Sequence, residues 1–299
     1  MTTAPEPSLA SVWFEATRPR TLAAAIVPVA VGSALAAAHG VFDAAAAGIC
    51  LAFALLVQIG TNYANDYFDF VKGADTPQRT GPRRAVAAGL ITPSAMLRAT
   101  TAVLAVAFLV GLLLVEKRGW VLLPVGVVSI VCALAYTGGP WPLAYVGLGD
   151  VFVFIFFGLV AVGATFFVQA GYLAPEALTC GAAVGLLAAN ILVANNYRDA
   201  ETDALANKRT LVVRFGRKFA IWQYGLSALV AFCAPPALLL AGYKWPALLP
   251  LLLVPWAVSL THRLARSFEP AEQIAILGAT ARLLAVFGVL LGAGLLFGK

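Results

Sequence analysis

The sequence predicts an all-α integral membrane protein: a bundle of about nine transmembrane helices with the N-terminus on the cytoplasmic side. Three observations carry that prediction. Hydrophobic residues make up 61% of the chain and charged residues 11%, with a mean hydropathy of +0.89, whereas a soluble domain carries about 25% charged residues. Apolar runs of membrane-crossing length recur from end to end. Lys and Arg collect in alternate connections, as the positive-inside rule requires. A β-barrel would alternate apolar and polar residues over stretches of about ten residues, and no such alternation is present.

A window of about 19 residues, matched to a hydrocarbon core about 30 Å thick, places spans at 22–40, 44–64, 98–115, 120–137, 146–168, 176–196, 219–241, 246–262 and 277–297. The first follows Arg18 and Arg20 and ends in Ala36-Ala37-Ala38, a pattern that also suits a secretory signal. The apolar run Thr21–Ala38 is long for such a signal, so it is read as a retained first helix. With the N-terminus inside, the inner segments hold Arg18, Arg20, Lys72, Arg79, Arg83, Arg84, Arg98, Arg198, Lys208, Arg209, Arg214, Arg217, Lys218, Arg263 and Arg266. The outer segments hold only Lys117, Arg118, Lys244 and Lys299, and Arg282 falls inside the last span. The expectation is a multi-pass protein of the plasma (inner) membrane whose functional face looks into the cytoplasm. Pro28, Pro124, Pro235, Pro236, Pro250 and Pro255 are read as kinks, which membrane helices tolerate.

Two connections are long, 65–97 and 197–218, and long charged loops in a tight bundle usually carry function. The motif order of span, Asn/Asp cluster and basic stretch occurs once in each half. The chain is therefore read as one domain, 1–299, with halves 1–145 and 146–299 each carrying one Asp-rich loop. Cys50, Cys132, Cys180 and Cys233 lie in apolar runs without a CxxC pair and read as small buried thiols. His39 and His262 stand alone and far apart, which argues against a histidine metal site. Membrane topology and substrate phosphates account for the positive charge, so no nucleic-acid partner is expected. The sequence carries no signal of an oligomeric state.

The chemistry concentrates in Asn65-Asp66-Tyr67-Phe68-Asp69 after the second span and Asn195-Asn196-Tyr197-Arg198-Asp199 with Asp203 after the sixth. Carboxylates at the end of a membrane helix are costly and mark function by default. Residues four apart share a helix face. Asn65 stacks on Asp69, Asn62 on Asp66, and Asn195, Asp199 and Asp203 form one stripe. Mg²⁺ prefers a few carboxylates completed by phosphate oxygens and water. Two facing stripes, with Asn65, Asp66, Asp69, Asn195, Asp199 and Asp203 as ligands, would hold Mg²⁺ against a diphosphate; the plain alternative is a solvated polar rim. Lys72, Arg79, Arg83 and Arg84 follow the first cluster, Arg198, Lys208 and Arg209 belong to the second, and Arg20 stands at the mouth of the first span. Such cations grip phosphate oxygens or anchor helices at the interface. The connection Tyr136–Asp150 lacks Lys and Arg, is rich in aromatics and turn formers, and is expected to fold over the bundle mouth. Asp150 needs a partner.

These paired motifs resemble the UbiA-type intramembrane prenyltransferases, which join a polyprenyl diphosphate to an aromatic ring. That family's pattern is N-D-x-x-D with a further Asp four residues on, then D-x-x-x-D. Asn65, Asp66 and Asp69 match the first part, and Asp199 and Asp203 the second. Position 73 is Gly, and Asp75 follows two residues later; by resemblance Asp75 joins the metal ligands. A narrower likeness is carried by Trp13 with Arg18-Pro19-Arg20-Thr21-Leu22, Lys72-Gly73-Ala74-Asp75, Tyr136-Thr137-Gly138-Gly139-Pro140 and Lys208-Arg209-Thr210-Leu211-Val212-Val213-Arg214. They resemble the menaquinone-pathway branch, the 1,4-dihydroxy-2-naphthoate polyprenyltransferases.

That resemblance implies Mg²⁺-dependent transfer of a polyprenyl group from polyprenyl diphosphate to 1,4-dihydroxy-2-naphthoate, with decarboxylation to demethylmenaquinol, in contact with the lipid bilayer. It makes Asp66, Asp69, Asp199, Asp203 and Tyr136 the catalytic set. Tyr136, Tyr67 or Tyr197 would face the allylic cation. A different acceptor, such as 4-hydroxybenzoate or homogentisate, is the nearest alternative. A secondary transporter is disfavoured because the charges gather at one face and not at the midplane.

Overall fold

The computed structural model describes residues 8–75 and 83–299, and every regular element among them is helical. In chain order these are α1 (Leu9–Ala16), a 3₁₀ turn (Pro19–Thr21), α2 (Ala23–Ala38), α3 (Ala44–Val71), α4 (Pro93–Arg118), α5 (Leu122–Ala135), α6 (Gly149–Ala170), α7 (Pro175–Leu205), α8 (Leu211–Leu240), α9 (Trp245–Arg266) and α10 (Pro270–Gly298). The starts carry their own signals. Asp43 caps α3 by accepting from the Ala46 N–H at 2.9 Å, Thr92 caps α4 ahead of Pro93, and Thr210 caps α8 through Val213 N–H. Each cap satisfies a backbone donor that has no partner inside the helix.

Seven of these helices are long and apolar enough to cross a membrane, and counting the α1–α2 pair, bent by 52°, brings the number to eight. Each predicted span overlies a helix; of the nine, length and composition establish seven or eight among the described residues. The shortfall is α5, predicted over 120–137. Its 14 residues reach only about 21 Å. The apolar flanks that filled the hydropathy window belong to turns.

A second correction concerns the Asp-rich loops. α3 is 28 residues long and α7 is 31, or about 42 and 46 Å, against an apolar core of about 30 Å. The surplus at their C-terminal ends carries Asn65–Asp69 and Asn195–Asp203, so both motifs lie on helices. The predicted loop 65–97 starts only at Lys72, and 197–218 shrinks to Ala206–Thr210 before α8 begins. The expected start of α8 at 219 reflects a real break at Gly216, where φ is +82°.

The helices interlock through close contacts. A Cβ on Gly158 of α6 would fall 2.4 Å from the Gly181 carbonyl oxygen and 2.6 Å from Gly185 Cα of α7, the small-residue approach that membrane helices use. Around this contact α6 adopts a π-helical turn, Phe154–Val160, a feature frequent at functional sites. Gly288 of α10 meets Val27 of α2 in the same way. One buried cluster runs from Val27 through Phe166, Val184, Tyr224 and Leu260 to Leu295. Trp120, Trp141 and Phe268 are exposed in the connections and Trp245 at the start of α9, where aromatic residues anchor a bundle at the interface. Cys50 and Cys180 are buried as expected, Cys132 is half-buried, and Cys233 is exposed on the bundle surface.

Gly158→Leu should cost about 1–3 kcal/mol through overpacking, whereas Gly48→Ala, which meets nothing within 4 Å, should be neutral. Thermal unfolding of the two variants in one detergent checks this.

Candidate active site

The C-terminal ends of α3, α5 and α7 and the start of α6 surround one cavity of about 650 Å³. Its lining changes character along each helix. On α3 it runs from Cys50, Phe53 and Val57 through Gln58, Thr61 and Asn62 to Asn65, Asp66 and Asp69; on α5 it runs from Leu122 and Val125 to Tyr136 and Thr137. The apolar end suits a hydrocarbon, and the polar end is built from buried charge.

Each acid at that end is held. Asp66, 2% exposed, accepts from the amides of Ala85 at 3.0 Å and Val86 at 3.1 Å, one on each oxygen. These bonds pin the segment that returns to the site after the first motif. Asp69 accepts from the Tyr145 hydroxyl at 2.9 Å and from Arg84 at 3.3 Å. Arg84 also lies 3.4 Å from Asp75, which places Asp75 beside these groups. Gly73 explains how: at φ +68° it ends α3 with a left-handed residue, and the turn brings Asp75 back beside Arg84. An Asp at 73 would be strained there.

On α7, Arg198 grips Asp199 with two donors at 2.7 Å and donates to Asn195 at 2.9 Å. Lys208 stands 3.3 Å from Asp203. The other Asp203 oxygen is buried without a hydrogen-bond partner, as are Nη1 of Arg84 and Nη1 of Arg198. Among the described residues no three Asp, Glu, His or Cys side chains are close enough to hold an ion by themselves. The donor set still fits Mg²⁺: it consists of carboxylate and amide oxygens, Asp203 keeps one oxygen unused, and phosphate oxygens would complete the coordination.

The segment between α5 and α6 folds over this mouth, as its composition predicted. The Thr137 hydroxyl donates to Asn65 at 2.7 Å. Lys72 donates to the carbonyls of Thr137 and Gly139 at 2.6 and 3.4 Å, so it ties the segment down and does not line the cavity. Burial pushes the Lys72 ammonium below its usual range against the opposing pull of Asp69. Burial and the nearby Asp69 charge push the Tyr145 phenol up, which keeps it a donor. Asp150 finds its partner in Gln223, whose amide donates at 3.2 Å.

The remaining expected residues divide. Asn65, Asp66, Asp69, Arg84, Tyr136, Asn195, Arg198 and Lys208 line the cavity, as do Arg20 and Arg83 at its exposed rim, where Arg83 pairs with Glu15 of α1 at 3.1 Å. Asp75, Asp199 and Asp203 stand behind Arg84, Arg198 and Lys208 and do not line it. Arg209 is exposed, its backbone bonded to Tyr145 and Arg214, and it is not part of the wall. Tyr67 packs into a separate apolar cluster, and Tyr197 is buried under Arg217; neither reaches the cavity, which leaves Tyr136. Arg79 lies outside the described residues.

Several lining residues were not anticipated. Gln58 and Thr61 extend the stripes of Asn62–Asp66 and Asn65–Asp69 by one turn, a continuation visible in the four-residue spacing. Asn62 donates to the Thr17 carbonyl at 2.8 Å and so fastens the α1–α2 break, where Arg18 sits at φ +53°.

Fold and site together define a membrane prenyltransferase: residues 25–286 match the UbiA prenyltransferase family, and the chain belongs to it. It is 33% identical over 297 residues to the 1,4-dihydroxy-2-naphthoate octaprenyltransferase of Haemophilus influenzae, covering 96% of each chain. It is 42% identical over 215 residues to the Escherichia coli protein of the same name, 70% of each, and 32% identical over 296 residues to that of Bacillus subtilis, 98% of this chain and 95% of that one. Among solved structures, a UbiA homologue from Archaeoglobus fulgidus bound to DMAPP and Mg²⁺ shares the fold with a TM-score of 0.66 at 16% identity, over 93% of this chain and 98% of that one.

Asp66→Ala should release the Ala85 and Val86 amides. Hydrogen exchange at those positions should quicken by about tenfold or more, the scale of losing a charged acceptor, while exchange within α7 stays unchanged.

Proposed function

We propose that this protein transfers a polyprenyl group from polyprenyl diphosphate to 1,4-dihydroxy-2-naphthoate, with loss of CO₂, giving demethylmenaquinol for menaquinone biosynthesis. One observation carries the reading at the level of the site. A single cavity joins an apolar slot to a polar end where two buried guanidinium groups keep donors without partners, between helix ends rich in carboxylates. That is the shape and charge of an isoprenoid diphosphate, and the relatives named for naphthoate prenylation supply the acceptor.

In this reading Arg84, Arg198 and Lys208 take diphosphate oxygens, and Arg20 and Arg83 guard the rim. Asn65, Asp66, Asp69, Asp75, Asn195, Asp199 and Asp203 would hold Mg²⁺, which supplies charge neutralisation of the leaving diphosphate. The bond from C1 of the prenyl chain to oxygen breaks and its electron pair leaves with the diphosphate, stabilised by fixed cations. Tyr136 faces the positive charge that develops at C1, and the apolar walls exclude water. The electron-rich ring attacks C1, and CO₂ and a proton depart. The segment 136–148 closes the polar end from above.

The reading extends to placement. Residues 1–299 form one domain, and the acidic helix ends face the cytoplasm across the plasma membrane, because the connections beside them hold most of the Lys and Arg.

Purified protein given a polyprenyl diphosphate and 1,4-dihydroxy-2-naphthoate should form a prenylated product lighter by CO₂, seen by mass spectrometry, and EDTA should abolish it. Product from 4-hydroxybenzoate alone would sink the acceptor assignment. Asp69→Asn should keep the fold and lower kcat by about 10²-fold or more; retained turnover would remove Asp69 from the metal site.

A further inference from the structure

Tyr145 touches the first acidic motif and the connection that follows the second. Its hydroxyl donates to Asp69 at 2.9 Å on the α3 side. Its ring lies under two ammonium groups, Lys72 at 4.9 Å and Lys208 at 5.8 Å from the centroid, and Lys208 is the partner of Asp203 on the α7 side. Its carbonyl accepts from the Arg209 amide at 2.9 Å, which fixes the connection carrying Lys208. One residue of the covering segment therefore reaches the first motif through a hydrogen bond and the connection after the second through a cation–π contact and a backbone bond.

We infer that Tyr145 is a positioning residue that sets Asp69 and Lys208 in mutual register for a metal-bound diphosphate. Asp69 has its two oxygens fixed by different groups, the phenol on one and Arg84 on the other, so the carboxylate cannot turn while both hold. Lys208 is a flexible side chain on a short connection, Ala206–Thr210. The π face of Tyr145 attracts its ammonium and holds it at the cavity wall, where an isolated lysine would sample many rotamers. Tyr145 itself does not line the cavity and belongs to none of the apolar clusters. Its contacts are with the charged groups of the site, which distinguishes it from an aromatic that merely fills space.

This inference rests on the reading of the site as a Mg²⁺–diphosphate site, and the test separates the two. Pyrophosphate with Mg²⁺ is titrated into the full-length protein in detergent by calorimetry, for wild type, Tyr145→Phe, Tyr145→Leu and Trp141→Ala. Trp141 lies in the same segment and is 80% exposed, so its loss perturbs the segment without touching the motifs. Wild type and Trp141→Ala should bind alike. Tyr145→Phe, which keeps the ring and loses the bond to Asp69, should bind about tenfold more weakly, the scale of one hydrogen bond to a charged group, with an unchanged melting temperature. Tyr145→Leu should bind more weakly still. In turnover, Tyr145→Phe should raise KM for the prenyl diphosphate and leave KM for the acceptor in place. Wild-type binding by Tyr145→Phe, or a loss of binding that only follows a fall in melting temperature, overturns the inference. Failure of wild type to bind pyrophosphate with Mg²⁺ overturns the reading of the site and the inference with it.

Discussion

A carboxylate that leaves bulk water at the end of a membrane helix needs a cation or a set of N–H donors, because an uncompensated buried charge costs several kcal/mol or more. Much of the local structure at the polar mouth of this bundle follows from that constraint. The Asp66 requirement draws the backbone at Ala85 and Val86 back onto α3. The Asp69 requirement places Arg84 and Tyr145, and Arg84 brings Asp75 with it. On α7 Asp199 is met within the helix by its neighbour Arg198, and Asp203 by Lys208 of the following connection. The folding of three separate connections over the mouth is thus the means by which the acids are tolerated.

The helices supply what this arrangement needs by being too long. A helix that ended at the membrane surface would leave its acids in a loop, free to hydrate and without fixed spacing. Because α3 and α7 run on past the apolar core, the four-residue stacking persists, and Asn65 with Asp69 and Asn195 with Asp199 are held on rigid elements. A site built on helices keeps its geometry better than one built on loops. The break at Gly73 then does what continued helix would not do, turning Asp75 toward Arg84.

How much of this the sequence revealed depends on whether the signal was local. The two Asn/Asp stripes and their basic followers were visible because a four-residue period needs no knowledge of the partner. The covering role of Tyr136–Asp150 was visible from composition, since a segment without Lys or Arg stood where the positive-inside rule expects them. The helical state of the motifs was not visible, because hydropathy falls where a helix leaves the membrane whether or not the helix continues. The shortness of α5 was hidden for the opposite reason: apolar turn residues such as Val121 look like span. The pairing of Tyr145 with Asp69 and of Thr137 with Asn65 spans more than 70 residues of chain, 76 and 72 respectively, and no pattern along the sequence encodes it. Tyr67 and Tyr197 were drawn in by proximity to the motifs, but successive helix positions point about 100° apart, and both turn away from the cavity.

On the proposed reading, the charge balance gives a divalent ion a role at this site. The carboxylates of Asp66, Asp69, Asp75, Asp199 and Asp203 are nearly matched by Lys72, Arg84, Arg198 and Lys208, with Arg20 and Arg83 at the rim, and most are already paired. The resting mouth is therefore close to neutral, which is what lets it persist beside a membrane. A diphosphate brought in alone would add several negative charges to a site with little positive charge to spare. Brought in with Mg²⁺ it adds far less, and each Arg or Lys that turns toward phosphate leaves a carboxylate oxygen for the metal. The same side chains can thus stabilise the empty fold and the loaded site, with ion pairs exchanged between the two states and no charge left buried alone in either.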